Sequence, residues 1–531
     1  MSGAGDYIRG LEERAEADLE RVRGASEHVE RGAVKTSRRR EVSGVWQLER
    51  PRTAPAADDP WPPDLIDESA HPHTDHANAH RIVRHFGAGM LYVPGLGWHA
   101  WQDGPWRLDE LGVRRASAGL GRIVLDEARA LLGAAAKVED DEQRKQAVAA
   151  GEARAKWARQ SEFKGTIAAA LSMAEPLVHI RSERIDADPL LLACTNGVLD
   201  LRTGKLRPHK RTDFITQCTA TDYRENAAAP VWERFVREVF KGDAELIEWV
   251  QRFLGYSLTG LTTEHMLIVA HGNGSNGKTT LFECIRQMLG SYGKTAAPGL
   301  LIAKRGERHP TEILDLRGAR LVCSSETGEG GRLAEDLVKQ LTGGDGLKGR
   351  AMRQDFIDFA PTFKLALFTN HRPLITGQDG GIWRRIKLVP FAQKFEGADK
   401  DTRLPEKLKA EWPGILRWCM EGLARWQTSG FNACKAIDAA SNQYREESDL
   451  LGQFIADECI EGPGGTEASG ELYRAYSEWC KDNGVQALAK RTLGLRMEER
   501  GFRQHRGTGG VRRWQGLKLG HTVESRQPWA A

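Results

Sequence analysis

A chain of 531 residues that is 40% hydrophobic and 28% charged has the length for about three globular domains, and its formal net charge of +3 says little about partners until its distribution is read. No apolar run approaches the roughly 20 residues of a membrane span, and the N-terminus lacks the apolar stretch of a signal peptide, so a cytoplasmic protein with no membrane partner is expected. The eight cysteines, Cys194, Cys218, Cys284, Cys323, Cys419, Cys434, Cys459 and Cys480, never fall as C-x-x-C, which excludes a zinc ribbon and a redox dithiol.

Residues 1–72 read as a mobile charged arm, with a basic run from Lys35 to Arg40 and a proline-rich stretch over 51–63. His71, His73, His76 and His80 crowd together, but no carboxylate or cysteine completes a ligand set, so they do not read as a metal site. Residues 73–229 read as an α+β domain. Its residues 90–109 form a β-meander whose Trp98, Trp101 and Trp106 belong to a small core rather than a base-stacking surface, and 121–175 are helical in pattern. Asp186 and Asp188 resemble a metal-binding pair, but Pro189 follows directly and puts them in a turn. A strand over Leu190–Cys194 follows, with hairpin turns at Asn196-Gly197 and Thr203-Gly204.

Residues 230–430 read as the α/β core. Pro230 opens a helix with Trp232, Phe235, Val236, Val239 and Phe240 on one face, and a second helix carries Leu246, Val250, Phe253 and Leu254. The apolar strand Met266–Ala270 then runs into Gly272-Asn273-Gly274-Ser275-Asn276-Gly277-Lys278-Thr279-Thr280, followed by a helix from Leu281 to Leu289. Strand, glycine-rich loop and helix is the context of a P-loop. The glycines let successive N–H groups turn inward on phosphate, Lys278 reaches the β- and γ-phosphates of ATP, and the Thr279 hydroxyl ligates Mg²⁺. Three further segments fit a nucleotide machine. The strand Arg320–Ser325 ends at Glu326, an acid placed to organise Mg²⁺ and the attacking water. The strand Phe363–Thr369 ends at Asn370, an amide that can orient that water. Arg384 and Arg385 precede a last strand, and either guanidinium can neutralise charge on the transferring phosphoryl group. Between the acid and the amide, Lys339, Lys348, Arg350 and Arg353 surround a glycine-bounded β-hairpin with Lys348 at its turn, an arrangement that suits nucleic acid.

Residues 441–520 read as a separate unit and 521–531 as a tail. Leu472, Tyr473, Tyr476, Trp479 and Cys480 share one helix face, Lys490–Arg500 forms a second helix, and Phe502–Leu519 a strand pair carrying Arg512 and Arg513. Helix, helix, wing suggests a winged helix-turn-helix. From 490 to 526 there are ten Lys/Arg and three Asp/Glu, a local +7, so the charge missing from the whole-chain balance is concentrated here.

The ordered segments GNGSNGKTT, RGARLVCSSE, VKQLTGGDGLKGR, KLALFTNHRP and GGIWRRIKLVPF resemble the superfamily 3 helicases. More narrowly they are similar to the phage and plasmid primase-helicase family, which includes the poxvirus helicase-primase relatives. Outside the core, TDHANAHRIVRHFG, TNGVLDLRTGKLRPH and GYSLTG resemble that family's accessory domain, and SDLLGQFIADEC and LYRAYSEWCKDNG its C-terminal segment. The resemblance implies an AAA+-like ATPase core and a homo-hexameric ring that moves 3′→5′ on single-stranded and forked DNA, alongside a primase or other replication proteins. It makes Glu326 the Walker B acid, Asn370 the sensor, Lys348 the hairpin-tip base, and Arg384 or Arg385 a finger donated to the neighbouring subunit. Ser325 stands where many members have a second acid, and the 72 residues before the accessory domain are too few for a polymerising primase fold. An ATP-driven helicase of phage or plasmid replication is the expected function, and a nucleotide-switched origin-binding or loading ATPase the alternative.

Overall fold

The structure is a computed structural model. It describes residues 73–304, 309–325, 331–350, 352, 355–377, 380–396, 401–485, 487–507 and 510–520. The arm, the tail, Glu326 and Arg353 lie outside the described residues. The chain divides into two compact units, one of residues up to Ala187 with His209–Thr216, the other Asp188–Pro208 with Gln217 onward.

The first unit opens with α1 (Asp75–Phe86), capped by the Thr74 hydroxyl, which accepts from the Ala77 N–H at 3.1 Å. The antiparallel meander β1 (Met90–Val93), β2 (Gly97–Trp101) and β3 (Trp106–Leu108) follows in sequence order. Trp98 and Trp106 are buried in it and Trp101 packs on Trp106, so these rings are core. Then come α2 (Glu110–Ser117), α3 (Leu120–Ala135), α4 (Asp141–Gln160) and α5 (Lys164–Ala174).

The second unit begins with the antiparallel sheet β4 (Leu191–Cys194), β5 (Gly197–Asp200), β6 (Lys205–Arg207). Helices α6 (Pro230–Val239) and α7 (Ala244–Tyr256) lead to a five-stranded, all-parallel sheet: β7 (Leu267–His271), β8 (Gly293–Thr295), β9 (Leu321–Ser325), β12 (Lys364–Thr369) and β13 (Ile386–Pro390), in spatial order β13-β7-β12-β9-β8. Between them lie α8 (Lys278–Met288), α9 (Pro310–Leu314), α10 (Glu335–Thr342), the hairpin strands β10 (Leu347–Gly349) and β11 (Ile357–Phe359), and the short α11 (Gly380–Trp383). Helices α12 (Leu404–Ala410), α13 (Trp412–Ser429) and α14 (Lys435–Ser448) follow. Side chains of β7 alternate between two cores: Ile268 and Ala270 face the one built with α6, α7, α8 and α13, while Leu267 and Val269 face the other. A parallel sheet covered on both faces needs such continuous apolar strands, and burying each large side chain stabilises by roughly 1.5–3 kcal/mol.

The expected hairpin forms, but Lys348 is not at its turn. It sits in the middle of β10 directly opposite Asp358, with Nζ 3.8 Å from the carboxylate, and the connection runs instead from Arg350 to Phe356. Leu347 is fully buried, and a Cβ on Gly349 would meet Leu314 of α9 at 2.8 Å. Both ends of β10 are thus held against the fold.

The C-terminal part has its own core around Phe454, Tyr476, Met497 and Trp514. It runs α15 (Leu450–Glu458), β14 (Cys459–Ala468), α16 (Ser469–Asp482), α17 (Lys490–Glu499), β15 (Arg503–Arg506), β16 (Arg512–Leu519), with sheet order β14-β16-β15. Among the described residues, no helix is long and apolar enough to cross a membrane.

Candidate functional site

The loop after β7 is a cradle shaped by its glycines. Gly274 and Gly277 take positive φ (88° and 83°), and a Cβ on Gly277 would meet Val239 of α6 at 2.7 Å. A Cβ on Gly272 would strike the Asn276 side chain at 2.3 Å and the Phe391 carbonyl oxygen at 2.4 Å. Asn276 is buried and donates to that carbonyl at 3.3 Å, and the Phe395 N–H donates to Ser275 at 2.8 Å, so the segment after β13 ties the loop down. The Asn276 side chain therefore braces the loop, while Asn273, Ser275 and Thr279 are exposed and Thr280 partly so. Helix α8 starts at Lys278 behind Gly277 with no side-chain cap, so its first N–H groups and the helix dipole are available to an anion.

Lys278 is buried, and its Nζ donates to the Gly272 carbonyl at 2.6 Å and to Asn370 Oδ1 at 3.0 Å. Both acceptors are neutral. Among the described residues the ammonium has no carboxylate partner, and burial pushes its pKa down. The parallel pairing of β12 with β7 puts the two strand ends, and hence Lys278 and Asn370, side by side. On the other side of β12, β9 ends at Ser325, so the position that follows it, Glu326, is outside the described residues. His271, at the end of β7, has its pKa lowered by burial, by Arg372 and by Lys278. Arg372 itself pairs with Glu447 of α14 at 2.5 Å and stacks over Tyr444.

The two arginines before β13 differ sharply. Arg385 is buried, its Nε donating to Thr342 Oγ1 at 3.1 Å and its guanidinium to the Gly381 carbonyl at 2.6 Å. Arg384 is exposed, and its side chain has no partner among the described residues.

The residues suited to nucleic acid fall in two places. At the hairpin, Arg350 stacks over Phe356 at 4.7 Å, and Met352 and Phe356 are exposed on the connection; Lys339 is partly buried on α10. In the C-terminal part, Arg503, Arg506, Arg512, Arg513 and Lys518 lie on β15 and β16, where the sequence has no acidic residue between Phe502 and Gly520. None of the five forms an ion pair or side-chain hydrogen bond among the described residues. Arg506 stands directly opposite Arg512, and His505 opposite Arg513. Like charges across a ladder destabilise it, and a polyanion removes that cost. Arg503, His505 and Arg506 were missed from sequence, although the run RQHR was its own signal.

For a bound Mg²⁺–nucleotide, the residues present fit the phosphates: helix N–H groups with no side-chain cap, a buried ammonium with only neutral acceptors among the described residues, and an exposed Thr279 hydroxyl. Among the described residues, no cluster of three or more His, Cys, Asp or Glu is arranged to hold a metal by itself.

Three families match this chain. Residues 79–241 match D5 N terminal like, 270–385 match a family of unknown function, DUF5906, and 446–511 match Poxvirus D5 protein-like. A protein of Acanthamoeba polyphaga mimivirus named as a candidate helicase, L207/L206, is 28% identical over 324 residues, covering 56% of this chain and 34% of its own. A protein of African swine fever virus named as a candidate primase, C962R, is 24% identical over 344 residues, covering 59% of this chain and 36% of its own. The chain thus spans about a third of the length of these curated relatives. A solved structure of the C terminal region of NrS-1 overlaps 56% of this chain and 78% of its own at 10% identity, with a TM-score of 0.35, too low to bear on the fold.

Proposed function

The chain carries the D5 N terminal like and Poxvirus D5 protein-like domains and so belongs with the poxvirus D5-like helicase-primases, and from that premise we propose that it is an ATP-driven DNA helicase of replication. The observation that carries the reading is the buried Lys278 ammonium, bonded to Asn370 and Gly272 at the mouth of an uncapped helix. A buried cation in a shaped loop that rests on neutral acceptors among the described residues supports a phosphate site. On binding, Lys278 exchanges two neutral acceptors for phosphate oxygens, and Asn370 is freed to orient a water. Thr279 and Glu326 hold Mg²⁺, which supplies charge neutralisation on the phosphates. Arg384, exposed on the surface, is the arginine offered to a neighbouring subunit of a hexameric ring; Arg385 keeps its side chain in the fold.

The DNA contacts follow from the charges. The hairpin, with Lys348 on its strand and Arg350 at the start of its connection, faces a single strand. The C-terminal part, read as a winged helix with β15 and β16 as the wing, holds duplex phosphate through Arg512, Arg513 and their neighbours. Steady-state ATP hydrolysis with and without single-stranded DNA tests the reading. Hydrolysis that DNA stimulates and Lys278→Ala abolishes is expected; hydrolysis that survives Lys278→Ala removes the P-loop from the account.

A further inference from the structure

In the first unit an open cleft of about 520 Å³ is lined by His179, Ile180, Arg181, Glu183 and Arg184. The backbone here is fixed at both ends. Ile180 donates its N–H to the Tyr92 carbonyl at 2.9 Å, and Ile180 and Ile185 are each buried in the core with Trp106 and Phe214. His179, just before Ile180, and Arg181 and Arg184 in the turn between the two isoleucines are exposed above this buried base. Glu183 accepts from the neighbouring Ser182 hydroxyl at 3.1 Å, and among the described residues neither arginine has a carboxylate partner.

The base of the cleft is strained. Phe214 and Asp186 take positive φ (48° and 53°) without being glycine, and the Asp186 N–H donates to the Phe214 carbonyl at 3.1 Å. For a bulky residue this region is unfavourable and persists only where surrounding structure imposes it. What the strain achieves is visible: it sets the Phe214 ring beneath the Arg184 guanidinium, 4.9 Å from ring centre to Cζ. Asp186 accepts from the N–H of Thr216 at 2.7 Å, which locks the pair. A guanidinium seated over a ring, with no carboxylate partner among the described residues, has N–H groups to offer a tetrahedral oxyanion in bidentate contact.

We propose that this cleft binds the phosphate of a nucleotide unit, gripped by Arg181 and Arg184, as a site separate from the P-loop and from the C-terminal basic strands. The volume suits one nucleotide, and the source is either a passing nucleic acid strand or a free nucleotide. The test compares the full chain with the Arg181→Gln/Arg184→Gln variant, whose side chains are exposed, after thermal melts establish equal folding. One arm measures affinity for a fluorescent 15-mer of thymidylate between 50 and 200 mM salt. The other measures the stoichiometry of inorganic triphosphate by calorimetry. Loss of about tenfold in oligonucleotide affinity, with the salt slope shallower by about 1.4, establishes a strand contact. Loss of one triphosphate equivalent with oligonucleotide affinity unchanged establishes the cleft as a free-nucleotide site. If both arms are unchanged, the cleft holds no phosphate and the proposal is wrong. A wild-type chain that binds no oligonucleotide counts against the helicase reading, and the triphosphate arm still decides the cleft.

Discussion

Truncating Arg385 and Arg384 separately tests the division of labour between adjacent arginines. Arg385 is 8% exposed and makes hydrogen bonds of 3.1 and 2.6 Å to Thr342 and Gly381. Its own carbonyl accepts from the Leu267 N–H at 2.8 Å, so it joins α10 and α11 to the first residue of β7. Two bonds among the described residues from a charged donor, at about 1.5 kcal/mol each, plus lost packing of the stem and less the relief of a buried charge, put Arg385→Ala at roughly 2–4 kcal/mol. In a unit of this size, with an unfolding entropy of about 2.1 cal/mol/K per residue, that lowers Tm by roughly 3–6 °C. Arg384→Ala removes no contact among the described residues, so its stability stays within about 0.5 kcal/mol of wild type while ATP turnover falls on the order of a thousandfold. Differential scanning fluorimetry and a coupled ATPase assay read the two effects. Turnover in Arg384→Ala should also recover in part when mixed with a Lys278 variant, because the composite interface then has one intact finger. The reasoning fails if Arg385→Ala melts like wild type yet cannot hydrolyse ATP, or if Arg384→Ala hydrolyses normally.

Lys278→Met should abolish hydrolysis yet melt at or above wild type without nucleotide, because it removes a buried charge that has no anionic partner among the described residues; a lower Tm would mean the ammonium is compensated in the free protein. Arg512→Gln/Arg513→Gln should flatten the salt dependence of duplex binding by about 1.8 in log–log slope, and an unchanged slope places the duplex contact elsewhere. Asp358→Asn should raise single-strand affinity severalfold at low salt by unmasking Lys348, and Lys348→Gln should lower it; no response in either would remove the hairpin from the strand path. His271 has a lowered pKa, so the folded state disfavours its protonation. Its contribution to stability is complete above the ordinary value of 6.5 and is lost as pH falls through the folded value. His271→Gln should therefore weaken the acid dependence of Tm below about pH 6.5, and an unaltered profile would assign that dependence to other groups.

Much of the core was legible because its signals are local. The apolar run before Gly272 and the helical spacing after Lys278 can be read without knowing any partner, and so can the strands that end at Ser325 and Asn370. Contacts between distant segments were not. Nothing in the residues around Asn370 announces that Lys278 will rest on it, since that follows from the pairing of β12 with β7. Neighbouring arginines look equivalent in sequence, and only the packing of Thr342 and Gly381 around one of them separates Arg384 from Arg385. Lys348 was misplaced because flanking glycines were read as a turn, whereas Gly349 is there for its close approach to Leu314. Likewise β14 was hidden by Gly462-Pro463-Gly464-Gly465, which suggests a loop; the strand absorbs it as an irregularity between Glu461 and Thr466.

The most direct test of the central claim is strand displacement on duplexes with a 3′ or a 5′ single-stranded tail, in DNA and in RNA, with ATP. The account predicts unwinding of the 3′-tailed DNA that needs hydrolysis and disappears in Lys278→Ala. Robust DNA-stimulated hydrolysis with no displacement of any substrate would contradict it and leave the nucleotide-switched origin-binding ATPase in its place.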